Sequence, residues 1–234
     1  MVIPIGDEPS GHGPPYVVYG LIAINVLVWL LQLQVGESFT NGWSTVPYEI
    51  THGVDLTGTR TVEAGGEAFP VRLYPGPTPI YLTLLSAMFM HGSWLHILGN
   101  MLYLWIFGDQ IEHLLGRGRF IVFYLLCGLA ASVAQVLYGP DGVVPSLGAS
   151  GAIAGVLGAY MIKFPRNRVR VLMGRGLTTM PALLVLGLWI VLQFFAQVGT
   201  PASEATGVAY MAHIGGFVAG IVLVMVMGAG GRRG

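Results

Sequence analysis

The sequence predicts an all-α membrane protein with six transmembrane helices, a long first outer loop and a short fourth helix. Three observations carry this prediction. Hydrophobic residues make up 54% of the 234-residue chain, charged residues only 9%, and mean hydropathy is +0.70. Soluble domains carry roughly 25% charged residues, so lipid must solvate much of this surface. Six apolar stretches follow one another along the chain. The basic residues, finally, concentrate on alternate connections between those stretches. The same composition excludes disorder. A formal net charge of 0 leaves no electrostatic footprint for nucleic acid. The lone cysteine, Cys127, lies inside an apolar run and excludes a disulfide framework within the chain.

Residues 1–15 read as a cytoplasmic N-terminal segment, 16–227 as one membrane domain and 228–234 as a cytoplasmic tail. The first stretch, Tyr16–Leu33, is flanked by Asp7 and Glu8 with no Lys or Arg, unlike a secretory signal. An outer loop follows, about 35–90, rich in Gly, Pro and Thr; a loop this long acts on something or packs on something. Within it Tyr81–Met90 is apolar but too short to span, and reads as an interfacial or re-entrant piece. The second stretch, Ser93–Gly108, reaches the roughly 20 residues of a full span only by including the polar 109–115 turn. Phe120–Tyr138, Met180–Val198 and Gly207–Met227 are the third, fifth and sixth stretches. The fourth, Ser150–Ile162, is short. No internal repeat is evident.

With six spans, one side receives Arg117, Arg119, Lys163, Arg166, Arg168, Arg170, Arg175, Arg232 and Arg233, leaving Arg60 and Arg72 on the other. Both termini are therefore predicted cytoplasmic. No transit peptide or organelle address is recognisable, so the expected location is the prokaryotic plasma membrane. The basic run from Arg166 to Arg175 reads as a topology determinant facing anionic lipid.

The short fourth stretch is the first functional clue. At 1.5 Å per residue it spans about 20 Å of a hydrocarbon core of about 30 Å. Lys163, Pro165, Arg166 and Arg168 pin its cytoplasmic end, so Ser150 lies roughly 10 Å below the outer surface. The preceding run from Gly139 to Gly148 is turn chemistry and must dip into the membrane to meet the helix. Irregular backbone at that depth requires protein or a water-filled cavity around it. A polar pocket open to the outer side, with Ser150 at its floor, follows. Other polar residues reach the same level: His213 about 9 Å below the start of the sixth stretch, His96 about 5 Å and Asn100 about 10 Å below the start of the second. Intramembrane ionisable residues are functional candidates.

Gly151 and Gly155 are four apart on the fourth stretch, as are Gly216 and Gly220 on the sixth. Such faces let membrane helices approach backbone to backbone. His213 shares a face with Gly216 and Gly220, and Ser150 adjoins Gly151, so the seam carries Ser150 towards His213. His96 and Asn100, at i and i+4, project from one face. A Ser hydroxyl becomes a nucleophile when a base takes its proton, and His213 suits that task. The Ser150 N–H, His96 and Asn100 are candidate donors to an oxyanion. Taken singly, each has a structural reading: Ser150 as a helix cap, His213 as a hydrogen-bonded core histidine, His96 and Asn100 as interhelical bridges. His91 reads as structural, Asp109, Glu112 and His113 as caps or tethers of their turn, and Gln135, Gln193 and Tyr160 as interhelical hydrogen bonders. No H-E-x-x-H motif or carboxylate at pocket level supports a metal, and no cofactor fingerprint occurs.

Three segments resemble the rhomboid intramembrane serine proteases. Gly148-Ala149-Ser150-Gly151 is similar to their nucleophile motif, and Ala212-His213-Ile214-Gly215-Gly216, with Gly220, to their histidine motif. His96-Ile97-Leu98-Gly99-Asn100 is similar to their HxxxN motif. The resemblance covers about Tyr16 to Met227 and implies a six-transmembrane-helix rhomboid-like bundle. It implies a Ser150–His213 dyad without an acidic third member, an oxyanion hole of His96, Asn100 and the Ser150 N–H, and no cofactor. It implies single-pass membrane proteins as substrates, cut in or near their transmembrane segment within membrane lipid, usually after a small residue. The loop Gly199–Thr206 would cap the cavity and the fifth span would be a lateral gate beside the second. Two positions depart from the family pattern. Leu82-Thr83 stands where many members carry Trp-Arg. Ala154 stands where an aromatic ring often stacks on the histidine, so His213 is expected to be held either less firmly or by another ring such as Tyr210 or Phe217. Two rival readings are an inactive rhomboid-like protein that binds membrane helices and a small transporter using the same pocket; the four polar residues together weigh against the first, and the single shortened span against the second.

Overall fold

In hydrocarbon the backbone must satisfy its own hydrogen bonds, and the apolar stretches do so as helices. The computed structural model describes residues 2–8, 11–64, 67–174, 176–198 and 209–228. Its long helices are α1 (Tyr16–Val35), α5 (Trp94–Leu115), α6 (Arg117–Tyr138), α7 (Ser150–Lys163), α8 (Ala182–Val198) and α9 (Tyr210–Gly228). Between α1 and α5 come α2 (Glu37–Gly42), α3 (Pro47–His52), strands β2 (Gly58–Ala64) and β3 (Glu67–Leu73), and α4 (Thr83–Ser86), which lies between 3₁₀ turns at Ile80–Leu82 and Ala87–Phe89. Strand β1 (Val2–Gly6) precedes α1, while β4 (Arg168–Met173) and β5 (Gly176–Pro181) link α7 to α8. Three of the described helices, α1, α6 and α9, are long and apolar enough to cross a bilayer; α7, α8 and the 80–89 segment are shorter apolar helices.

The chain is mainly helical, but the all-α expectation needs correction, because among the described residues five strands form two antiparallel sheets, β1-β4-β5 and β2-β3. The basic 166–175 run, read as a lipid-facing loop, is largely strand β4. Its residues alternate, with Val169 and Val171 fully buried and Arg168 and Arg170 exposed. That period of two is what a half-buried strand requires. Arg175 lies outside the described residues. Pairing of β1 with β4 sets the N-terminal segment at the same end of the bundle as the α7–α8 connection. The polar turn after Gly108 is simply the last part of α5. Its Glu112 carboxylate accepts the Val17 and Val18 N–H groups at 3.1 and 2.9 Å, satisfying free donors at the start of α1. Gln110 reaches the Glu8 carbonyl at 3.0 Å.

At the centre stands α7, buried continuously from Gly151 to Tyr160. Its glycines stand at backbone contacts with α9. A Cβ on Gly216 would strike the Gly151 carbonyl oxygen, one on Gly220 the Gly155 carbonyl oxygen, and one on Gly158 the Phe217 carbonyl oxygen. On the α6 side, a Cβ on Gly151 would come within 2.5 Å of the Ala131 Cβ, and one on Gly155 within 2.5 Å of Cys127. The outer faces of α1, α8 and α9 carry exposed Leu, Val and Phe instead.

The first loop is folded too. The Leu56 N–H donates to Glu49 at 2.9 Å, and Glu49 is only 3% exposed. Desolvation, opposed by that Leu56 bond and reinforced by Asp55, raises the Glu49 carboxyl from 4.5 to about 7. A folded-state value above the unfolded one means that protonation favours folding. The contribution is full below pH 4.5 and is lost as pH rises through 7.

Two outcomes are expected. Gly220→Val should lower stability by about 1–3 kcal/mol through overpacking, whereas Gly187→Ala, whose Cβ meets nothing within 4 Å, should leave the melting temperature in detergent unchanged. Glu49→Gln should melt with the wild type at pH 4.5 and about 5 °C above it at pH 8; equal melting temperatures at both would remove the buried-carboxyl account.

Candidate active site

The loop before α7 is held by the first outer loop rather than left to lipid. Thr45 and Ser146 exchange backbone bonds of 2.9 and 2.8 Å, the Tyr48 N–H reaches the Gly142 carbonyl at 2.9 Å, and the Gly148 N–H reaches Ala87 at 2.8 Å. Gly148 has φ +128°, which favours glycine. The site also needs the missing side chain for space, since a Cβ there would lie 2.7 Å from His96 Nε2 and 3.5 Å from Ser150 Oγ. His96, Gly148 and Ser150 thus surround one small hollow.

Ser150 opens α7, with Ala149 as the cap residue, so its hydroxyl is not consumed in capping. Instead Ser150 Oγ lies 2.8 Å from His213 Nε2. The other ring nitrogen, Nδ1, lies 2.6 Å from Gln193 Oε1 on α8. The ring beside His213 among the described residues is Trp189, also from α8, with centroids 5.8 Å apart. Neither Tyr210 nor Phe217 fills that place; Phe217 packs on Trp189 at 6.2 Å. Gln135 accepts the Ala212 N–H at 3.2 Å and ties α9 to α6.

On α5, Ser93 Oγ caps the helix by accepting the His96 N–H at 3.1 Å. His96 Nδ1 accepts from the Gly92 N–H at 3.4 Å, which leaves its Nε2 to carry the proton and face the hollow. Asn100 Nδ2 donates to His91 Nε2 at 3.0 Å, so one amide N–H is engaged and the second remains. His91 is fully buried, and Gln32 of α1 clamps its backbone, donating to the His91 carbonyl at 2.9 Å and accepting its N–H at 3.0 Å. Burial, with His96 nearby, lowers the His91 imidazole to about 4, so it stays neutral and able to accept. Gln32 escaped the sequence reading; its signal was an amide near the end of the apolar stretch Tyr16–Leu33, whose other amide is Asn25.

Beside Ser150 lies a cavity of about 30 Å³ lined in part by Ala87, Met88, Gly128, Ala131, Gly148 and Ala152. It has room for a water and little more. Among the described residues no cluster of His, Cys, Asp or Glu is arranged to hold a metal ion. Thr83, at one of the positions departing from the family pattern, is buried and receives the Thr45 hydroxyl on its carbonyl at 2.8 Å, whereas Leu82 is exposed. The loop Gly199–Thr206 lies outside the described residues.

Residues 79–230 match the model of the Rhomboid domain. The chain is 31% identical to Rhomboid protease GluP of Bacillus subtilis over 157 residues, 67% of this chain and 26% of that protein. Over 152 residues, 60% of this chain and 40% of the relative, it is 32% identical to Rhomboid protein 1, mitochondrial, of Saccharomyces cerevisiae. With Presenilin-associated rhomboid-like protein, mitochondrial, of Mus musculus it shares 39% identity over 93 residues, 38% of this chain and 24% of the relative. The chain thus spans less than half the length of these relatives. The matched segment contains Ser150, His213, His96, Asn100 and the glycine seam, and the chain belongs to the rhomboid family of integral membrane proteins.

Proposed function

We propose that this chain is an intramembrane serine endopeptidase that uses a Ser150–His213 dyad. The observation that carries the reading is the 2.8 Å contact between Ser150 Oγ and His213 Nε2, across 63 residues of sequence and between two helices joined by glycines. The name of the Bacillus relative, a rhomboid protease, supports the same class.

In this mechanism His213 Nε2 takes the hydroxyl proton as Ser150 Oγ bonds to the scissile carbonyl carbon. The carbonyl oxygen becomes an oxyanion and is received by the Ser150 N–H, His96 Nε2–H and the free N–H of Asn100. Collapse breaks the C–N bond, and His213 returns its proton to the leaving amine. Water then attacks the acyl-serine, with His213 again as base, and releases the acid.

The reading includes six spans, formed by α1, α5, α6, α7, α8 and α9, with both termini cytoplasmic and the site open to the outer side. The distribution of Lys and Arg supports that orientation. Single-pass proteins would reach the dyad past α8, whose exposed Leu and Phe face lipid. The prokaryotic plasma membrane is the location proposed.

A fluorophosphonate probe should label the detergent-solubilised protein. Ser150→Ala should abolish labelling and His213→Ala should reduce it severely; labelling that survives Ser150→Ala overturns the assignment. Asn100→Ala should lower turnover of a helical substrate about 100-fold while melting falls by a few degrees. A large loss of stability with near-normal turnover would make Asn100 a structural bridge.

A further inference from the structure

The dyad places a demand on His213 that neither α7 nor α9 meets. A neutral imidazole carries one N–H. Nε2 must be bare to take the Ser150 proton, so the N–H belongs on Nδ1. Nδ1 lies 2.6 Å from Oε1 of Gln193, an amide oxygen that only accepts. From Ala182 to Ala196 α8 is apolar apart from Gln193, and Gln197 follows one turn later as the helix's second amide. Such a group is costly in lipid unless it is bonded. Trp189, four residues earlier and so on the same face, brings its ring to the same histidine.

We infer that Gln193 is a positioning residue for the dyad. Its amide oxygen takes the Nδ1–H, fixes the tautomer that leaves Nε2 free for Ser150, and makes docking of α8 a condition of an activated serine. The assignment builds on Ser150 and His213 acting as nucleophile and base. It adds a third, uncharged member supplied by the helix past which substrate would enter. Substrate passing α8 would disturb the Nδ1 bond, so the serine would reach full reactivity only once α8 has closed again on His213.

Among the groups around His213, Gln193 is the one bonded to Nδ1. His96, a titratable ring on α5, lies near enough to act on it electrostatically. Ser150 comes from α7, and α6 gives Gln135 to the neighbouring Ala212 N–H. None of these carries a carboxylate, so a carboxylate at position 193 would dominate the titration.

The test uses the full chain reconstituted in liposomes and the pH dependence of the second-order rate of fluorophosphonate labelling, with melting temperature recorded beside it. Gln193→Met keeps the length but loses the acceptor. Its labelling rate should fall about 10-fold, part of the 10²–10⁴-fold that a base supplies, with melting nearly unchanged. Gln193→Glu keeps the acceptor and adds charge. It should restore the rate at high pH and move the acid limb upward by about one unit or more. A Met variant within twofold of wild type, together with a Glu variant whose acid limb stays in place, overturns the positioning role. Should the Met variant fail to fold, the acid limb of the Glu variant decides alone. Ser150→Ala is the control: labelling that persists there overturns the proteolytic reading, whereas its loss beside unaffected Gln193 variants overturns only the role of Gln193.

Discussion

The backbone contact between α7 and α9 is the constraint on which the site depends. Where Gly216 meets the Gly151 carbonyl and Gly220 meets the Gly155 carbonyl, no side chain of any size fits. That closeness lets a serine and a histidine, both on short levers, meet at 2.8 Å. It also explains why a helix of 14 residues is tolerated. A helix of that length ends inside the hydrocarbon, and its free N–H groups are a liability there unless protein or water surrounds them. Here α7 is sheathed from Gly151 to Tyr160, and the loop before it is bonded to Thr45, Tyr48 and Ala87. The depth proposed for Ser150 therefore depends on the packing of α7.

A second rule follows from the solvent. In a low-dielectric interior, an unpaired polar group costs more than it does in water, and the amides around the site are paired. Gln32 secures the His91 backbone, His91 accepts from Asn100, Gln135 receives the Ala212 N–H, and Gln193 takes His213. These bonds join different elements: α1 to the turn before α5, that turn to α5, α6 to α9, and α8 to α9. Each polar residue thus sets the orientation of a neighbour as well as its own. His91 does this for Asn100, because accepting one amide proton turns the remaining N–H in a fixed direction.

Much of this was legible in the sequence, for physical reasons that also mark where legibility stops. The four-residue spacings of Gly151 with Gly155 and of Gly216 with Gly220 define faces on any helix, so the seam and the meeting of Ser150 with His213 were readable without coordinates. The short reach of the fourth stretch was readable from residue counts alone. The rings were not. Ala154 left the histidine without its usual neighbour, and spacing on α9 suggested Tyr210 or Phe217. Trp189 arrives from another helix, whose rotation no pattern in an apolar run fixes. The sheets were missed differently. Arg168-Val169-Arg170-Val171 alternates with period two, and Gly65-Gly66 between Thr61-Val62 and Phe69-Val71 is a hairpin signal. Both were hidden by treating basic and glycine-rich connections as loops. Gln193 was read as an interhelical bonder, but its partner depended on where α8 sits.

The two ends of α7 differ in a way that bears on motion. At the end away from Ser150, Tyr160 donates to Asp7 at 2.7 Å and receives from Asn167 at 3.2 Å, while β1 pairs with β4 across the same region. Burial raises the Asp7 carboxyl to about 6 even against the lowering effect of that Tyr160 bond, a sign of how firmly the N-terminal segment is packed. At the Ser150 end, backbone bonds from the first loop hold the approach to the helix. Both ends of α7 are therefore tied, and its long sides are packed against α6 and α9. A protease in this fold must still admit a substrate to Ser150. The freedom must come from an element that borders the dyad yet shows much of its surface to lipid, and α8 meets both conditions. It touches His213 through Trp189 and Gln193 and exposes Leu184, Leu188, Leu192 and Phe195 on its other side. In the proposed mechanism, placing the base's orienting group on a helix that faces lipid couples access to reactivity: the arrangement that activates Ser150 is the one in which α8 packs on His213.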